Sequence, residues 1–137
     1  MMFNPNRKQR CGVTAVEFAI IAPILFLIIL GTIEIGRGFM VQHLLTNAAR
    51  QGCRAGVLEG KTNSDVTTAV NASLAQLGIS SEVITVAVND VTANASSSVA
   101  GDEITVIVSV PVTSVSWVPT AKFLSGTISG QYTLRRE

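Results

Sequence analysis

Few side chains in this sequence have the type and spacing to do chemistry, and Glu17 has the clearest physical problem to solve. It is the single charged residue between Val13 and Ile33, a run of 21 residues otherwise made of Ile, Leu, Ala, Phe, Val, Thr, Gly and one Pro. An acidic side chain at the centre of a bilayer is unfavourable by roughly 2.5–3.5 kcal/mol on insertion scales, and by less near the edge. Glu17 must therefore snorkel to an interface, gain from the positive end of a helix dipole, or find a cationic partner. The other candidates are weaker. His43 stands alone. Asp90 and Asp102 flank a Ser-rich loop without a regular ligand spacing, so no metal site is predicted. No C-x-x-C, H-E-x-x-H or Gly-rich phosphate loop occurs. The expectation is a chain with no catalytic residues, no cofactor and no small-molecule substrate. A net charge of +1 gives no broad attraction to nucleic acid.

The element that must position Glu17 is a membrane helix. A bilayer core takes about 20 helical residues, and no polar stripe interrupts Phe18 to Leu30. Arg7, Lys8 and Arg10 stand directly before the run, which places the N-terminus in the cytoplasm and the rest of the chain outside. Arg37, Arg50 and Arg54 argue weakly the other way. A secretory signal peptide is the competing reading, but Glu34-Ile-Gly-Arg-Gly-Phe39 makes a poor cleavage site. Pro23 withholds a backbone donor and is expected to kink or loosen the helix. Cys11 and Cys53 would lie about 60 Å apart along one helix, too far for a disulfide, and read as free thiols.

Helical spacing continues through Ile35, Phe39, Leu45 and Ala48, predicting a helix from Val13 to about Leu58. Ala48, Gly52, Ala55 and Gly56 form a stripe of small side chains that lets another backbone come close. The sequence leaves two occupants open, a helix of another subunit or the chain's own sheet.

After a break at Gly60, Ser64 reads as the N-cap of a second helix with Val66, Val70, Leu74 and Leu77 on one face and Gly78 as its stop. Alternation predicts strands around Ile84–Val88, Ile104–Val110 and Ile128–Leu134. Val91 to Gly101 reads as a mobile connection, and the connection from Pro111 to Gly126 carries Trp117, Pro119 and Phe123; Trp117 and Phe123 read chiefly as a plug for the end of the core, with a surface contact to a partner subunit as the alternative. The predicted class is α+β. A long N-terminal helix, transmembrane and then amphipathic, packs with a second helix on a small antiparallel sheet. The predicted divisions are a basic leader (1–12), a transmembrane helix (13–33) and an extracytoplasmic domain (34–137).

Several of these residues together resemble the N-terminus of type IV pilin-like proteins, most closely the TadE-like pseudopilins. The likeness rests on Arg7-Lys-Gln-Arg-Cys-Gly12, Val13-Thr-Ala-Val-Glu17-Phe18-Ala19, Pro23 and Glu34-Ile-Gly-Arg37. Ala48 to Ala55 and the ending Tyr132 to Glu137 add to it. The resemblance implies a pilin-like fold and cleavage by a prepilin peptidase between Gly12 and Val13. Glu17 is then the fifth residue of the mature chain and sets assembly register. Phe18 takes the sixth position, where many Flp-type major pilins have tyrosine, which fits a pseudopilin better than a main filament subunit. The implied partners are the peptidase, other pilin or pseudopilin subunits, the Tad pilus assembly machinery and the bacterial inner membrane. The implied role is assembly or structure of a Tad-type pilus used in surface attachment. A membrane-tethered binding module that enters no filament is the alternative.

Overall fold

The computed structural model describes residues 7–75, 79, 82–115 and 126–137, with the backbone alone for residues 7–11. The first helix, α1, spans Arg7–Gly56. It therefore begins six residues before the expected start at Val13. Arg, Lys and Gln are all good helix formers, and nothing in Arg7–Arg10 opposes the helical conformation. It ends two residues before the expected Leu58. Val57 still donates to the Cys53 carbonyl at 3.0 Å, and Gly60 then turns the chain in the left-handed region (φ 73°). The chain divides at Gly36/Arg37 into two compact units, and α1 enters both.

The second helix, α2 (Asn63–Ala75), starts earlier than Ser64 for a local reason. Thr62 is its cap. The Asp65 carboxylate accepts from the Thr62 backbone N–H at 2.9 Å and its hydroxyl at 3.0 Å, a capping box one residue type removed from Thr-x-x-Glu. Lys61 adds an ion pair to Asp65 at 3.1 Å. These bonds hold the Asp65 carboxyl below the ordinary carboxylate range. Val66, Val70 and Leu74 are buried as their spacing predicts, while Leu77 and Gly78 lie outside the described residues.

One antiparallel sheet runs in the order β2-β1-β3-β4, from β1 (Val83–Val88), β2 (Val91–Thr92), β3 (Glu103–Pro111) and β4 (Thr127–Arg135). β3 is central and its alternation is clean: Ile104, Val106, Val108 and Val110 are completely buried. Fully burying such side chains contributes about 1.5–3 kcal/mol each. β2 was not expected. The segment read as mobile is a built structure, because its polar residues bond to one another. Asn89 and Asp90 adopt left-handed conformations (φ 50° and 65°) and make the two-residue turn from β1 into β2. The Asn94 side chain accepts from the Ser96 and Asn63 backbone N–H groups, each at 3.2 Å. In return, the Asn63 side chain accepts from the Ala95 N–H at 2.8 Å and donates to the Ala93 carbonyl at 3.2 Å. Arg136 ties the same segment to the end of β4, donating to the Ser98 carbonyl at 2.7 Å and hydroxyl at 2.8 Å. A single helical turn, α3 (Val112–Val115), follows β3; Trp117, Pro119 and Phe123 lie outside the described residues.

The core forms where the later part of α1 lies on the sheet. Val41, Leu45, Ala48, Ala49 and Cys53 join Val66, Val70, Leu74 and the inward residues of β1 and β3. Contact is closest at β4. A Cβ at Gly130 would stand 2.6 Å from the Leu45 carbonyl carbon and 2.8 Å from Thr46 Cα, and nearer still to Thr46 N. These are backbone atoms, which cannot rotate aside. At Gly36 and Gly38, by contrast, an added Cβ meets nothing within 4 Å.

Gly130→Ala is therefore expected to destabilise the domain by at least about 1–3 kcal/mol, read as a fall of roughly 4–8 °C or more in the thermal midpoint in detergent. Gly36→Ala should leave the midpoint unchanged or raise it, since alanine favours an exposed helix by up to about 1 kcal/mol.

Candidate functional site

Every large apolar side chain from Val13 to Ile33 is exposed, from 45% at Ile29 to 71% at Leu27. A helix of a water-soluble domain buries one stripe and solvates the rest; a helix apolar all round needs an apolar surrounding. This is the single helix among the described residues that is long and apolar enough to cross a membrane. Helical pairing satisfies backbone polar groups within the segment, as a bilayer requires, except one turn before Pro23. The Thr32 hydroxyl is satisfied too, donating to the Ile28 carbonyl at 2.9 Å. α1 continues through Pro23, whose missing N–H leaves the carbonyl one turn earlier, at Ala19, without its usual donor.

Gly12 and Val13 sit in the early turns of this helix, and Glu17 and Phe18 are exposed on it. Val13 and Glu17 are four residues apart and so share a face, about 6 Å along the axis. An ammonium group at Val13 would be within reach of the Glu17 carboxylate on its own helix or a neighbouring one. A Cβ at Gly12 would meet nothing within 4 Å among the described residues.

The stripe of Ala48, Gly52, Ala55 and Gly56 is occupied by the chain itself. A Cβ at Gly52 would lie 2.7 Å from Val70 Cγ2 and within 3.3 Å of Val66 and Val106 side chains. One at Gly56 would lie 3.0 Å from Val66 Cγ2 and 3.6 Å from Ile104 Cγ2. Of the two occupants left open, these contacts are with α2 and the sheet. Ala48 is buried and Ala55 half-buried in the same surface.

Cys53 belongs to this packed half. Its Sγ is fully buried and donates to the Tyr132 carbonyl at 3.0 Å, with the Ile104 carbonyl at 3.5 Å. Burial pushes its thiol up to about 11, partly offset by the Val106 backbone N–H. It is thus a packing residue with a polar tether, not a nucleophile. On the exposed side, the Arg50 guanidinium lies 4.7 Å from the Tyr132 ring centroid, a cation–π contact. Arg37 donates from Nε to the Val115 carbonyl of α3.

The remaining candidates do not assemble. His43 is exposed. Asp102 accepts from the Val99 N–H and the Asn89 amide, both at 2.8 Å, which lower its pKa and occupy it, while Asp90 is exposed in the turn. No group of three or more potential metal ligands occurs among the described residues. Two positions escaped the sequence reading. Gly130 lies in phase with Ile128 and Tyr132, and a glycine on the inward face of a strand is a signal of close backbone approach. Thr62 lies three residues before an acidic side chain, the spacing of a capping box.

Residues 12–54 match the family described as TadE-like protein, and over that segment the chain is similar to it. No curated protein and no solved structure matches the chain.

Because its folded-state pKa of about 11 is above the ordinary 9.0, the Cys53 thiol contributes stability that is complete below pH 9 and lost as pH rises from 9 toward 11. Thermal melts across that range should show a fall that Cys53→Ala lacks. In the native protein at pH 8, iodoacetamide is expected to leave Cys53 unmodified until denaturant is added.

Proposed function

We propose that the chain is a pseudopilin, a minor pilin-like subunit anchored in the bacterial inner membrane by α1, that serves assembly or structure of a Tad-type pilus used in surface attachment. The observation that carries this reading is a TadE-like segment whose helix is exposed and apolar on every side, with Glu17 as its only charge from Val13 to Ile33. The basic residues Arg7, Lys8 and Arg10 favour a cytoplasmic N-terminus and an extracytoplasmic domain. The work of such a subunit is association rather than catalysis.

Processing fits the same residues. A prepilin peptidase that cuts between Gly12 and Val13 leaves an α-amine four residues before Glu17. A Cβ at Gly12 would meet nothing within 4 Å among the described residues, which leaves the position open to such an enzyme. The new ammonium, on the same or an adjacent subunit, neutralises the carboxylate as helices bundle. Two poorly solvated charges that must meet also fix the axial offset between helices. Phe18, exposed beside Glu17, adds an apolar contact to that register.

Mass spectrometry of protein extracted from membranes is expected to find Val13 as the first residue. An intact start before Gly12 would move the reading to a tethered binding module outside any filament. Glu17→Gln should insert into the membrane as the parent chain does, yet fail to co-purify with pilus assembly partners. Normal incorporation of that variant would remove Glu17 from the register role.

A further inference from the structure

The exposed face of α1 does not become polar where the 21-residue run ends at Ile33. Ile35, Phe39 and Met40 are 64%, 61% and 63% exposed, as exposed as the residues within the run. The same side of the helix then changes abruptly. Gln42, His43, Asn47, Arg50 and Gln51 are its next exposed residues, and none is apolar. Glu34 and Arg37, the charges in this stretch, are only half-exposed, and Arg37 donates to the Val115 carbonyl.

Length decides what this means. The 21 residues Val13–Ile33 rise about 31 Å, which matches the hydrocarbon core of roughly 30 Å. The 28 residues from Val13 to Met40 rise about 42 Å, which matches the roughly 40–45 Å of a bilayer that includes both headgroup layers. We infer that Phe39 and Met40 lie in the outer headgroup layer of the membrane, so that the lipid boundary falls between Met40 and Gln42 rather than at Ile33. The inference rests on the membrane-anchored reading above. It assigns Phe39 the interfacial place that aromatic side chains favour. It also explains the bond of Arg37. In a poorly hydrated layer a guanidinium gains from a fixed carbonyl, and Val115 supplies one.

The test is the depth of single tryptophan reporters in the full chain, reconstituted at high lipid-to-protein ratio in phosphatidylcholine/phosphatidylglycerol vesicles. Trp117, the one native tryptophan, is removed as Trp117→Phe, and Ile28→Trp, Phe39→Trp, Met40→Trp and Asn47→Trp are introduced singly. Reporters at 39 and 40 should be quenched by lipid with a nitroxide near its headgroup roughly twofold more than the reporter at 47, and by aqueous iodide correspondingly less. The reporter at 28 should respond to a nitroxide deep in the acyl chain. If it does, but positions 39 and 40 respond to iodide as 47 does, they lie in water and the inference is overturned while the anchor stands. If 39 and 40 respond to neither quencher, protein covers them and the inference is equally overturned. A reporter at 28 that ignores deep lipid overturns the anchor itself. A spin label on Met40→Cys in a Cys11→Ser background reads the same depth with Trp117 intact, since Cys53 is buried.

Discussion

The backbone of α1 at Leu45 and Thr46 occupies the space where residue 130 would carry its side chain, and the domain is arranged around that approach. With the helix this low on β4, the small residues Ala48, Gly52 and Gly56 bring Val66 and Val70 of α2 and Val106 and Ile104 of β3 into contact with it. The Cys53 thiol then reaches the Tyr132 carbonyl. Any bulk at these positions would lift the helix, and because protein interiors pack like molecular crystals, the contacts on both sides would be lost together. The glycines of the earlier part of α1 have no such duty, so one helix contains two different meanings of the same residue.

What was legible in the sequence follows from periodicity. Ile104, Val106, Val108 and Val110 alternate without exception, and β3 sits in the middle of the sheet with all four buried. The apolar run marks the exposed helix, while the reading of Gly12, Val13, Glu17 and Phe18 rests on spacing and resemblance alone. What was not legible depends on partners distant in sequence. Asn63 and Asn94 looked like ordinary loop residues, yet each bonds the backbone near the other, so the segment between β2 and β3 is tied down where composition suggested motion. Gly130 interrupts the apolar alternation of β4, and that interruption marks the close approach of α1. The two occupants open to the small-residue stripe could be told apart only in three dimensions.

The two halves of α1 solve opposite solvation problems with one backbone conformation. From Val13 to Ile33 the side chains are apolar all round and Glu17 is the one charged exception. From Val41 the same helix is amphipathic, with Leu45, Ala48 and Cys53 inward and His43, Asn47 and Arg50 outward. The first half suits an apolar surrounding on every side, and the sheet sets the pattern in the second. A family likeness over residues 12–54 covers the first half and most of the second, and ends before α2 and the sheet.

The tether between Cys53 and Tyr132 joins residues 79 apart, and β4 follows every other described element in the chain. During translation, then, the helix emerges long before the strand that receives it. Its inward stripe has no cover in that interval, and contacts of such long sequence separation form slowly. Small side chains soften the problem, since Ala48, Ala49, Gly52 and Gly56 present far less apolar area to a chaperone or a neighbouring nascent chain than leucines would. The stripe that lets the finished domain close so tightly also keeps its unfinished form from sticking.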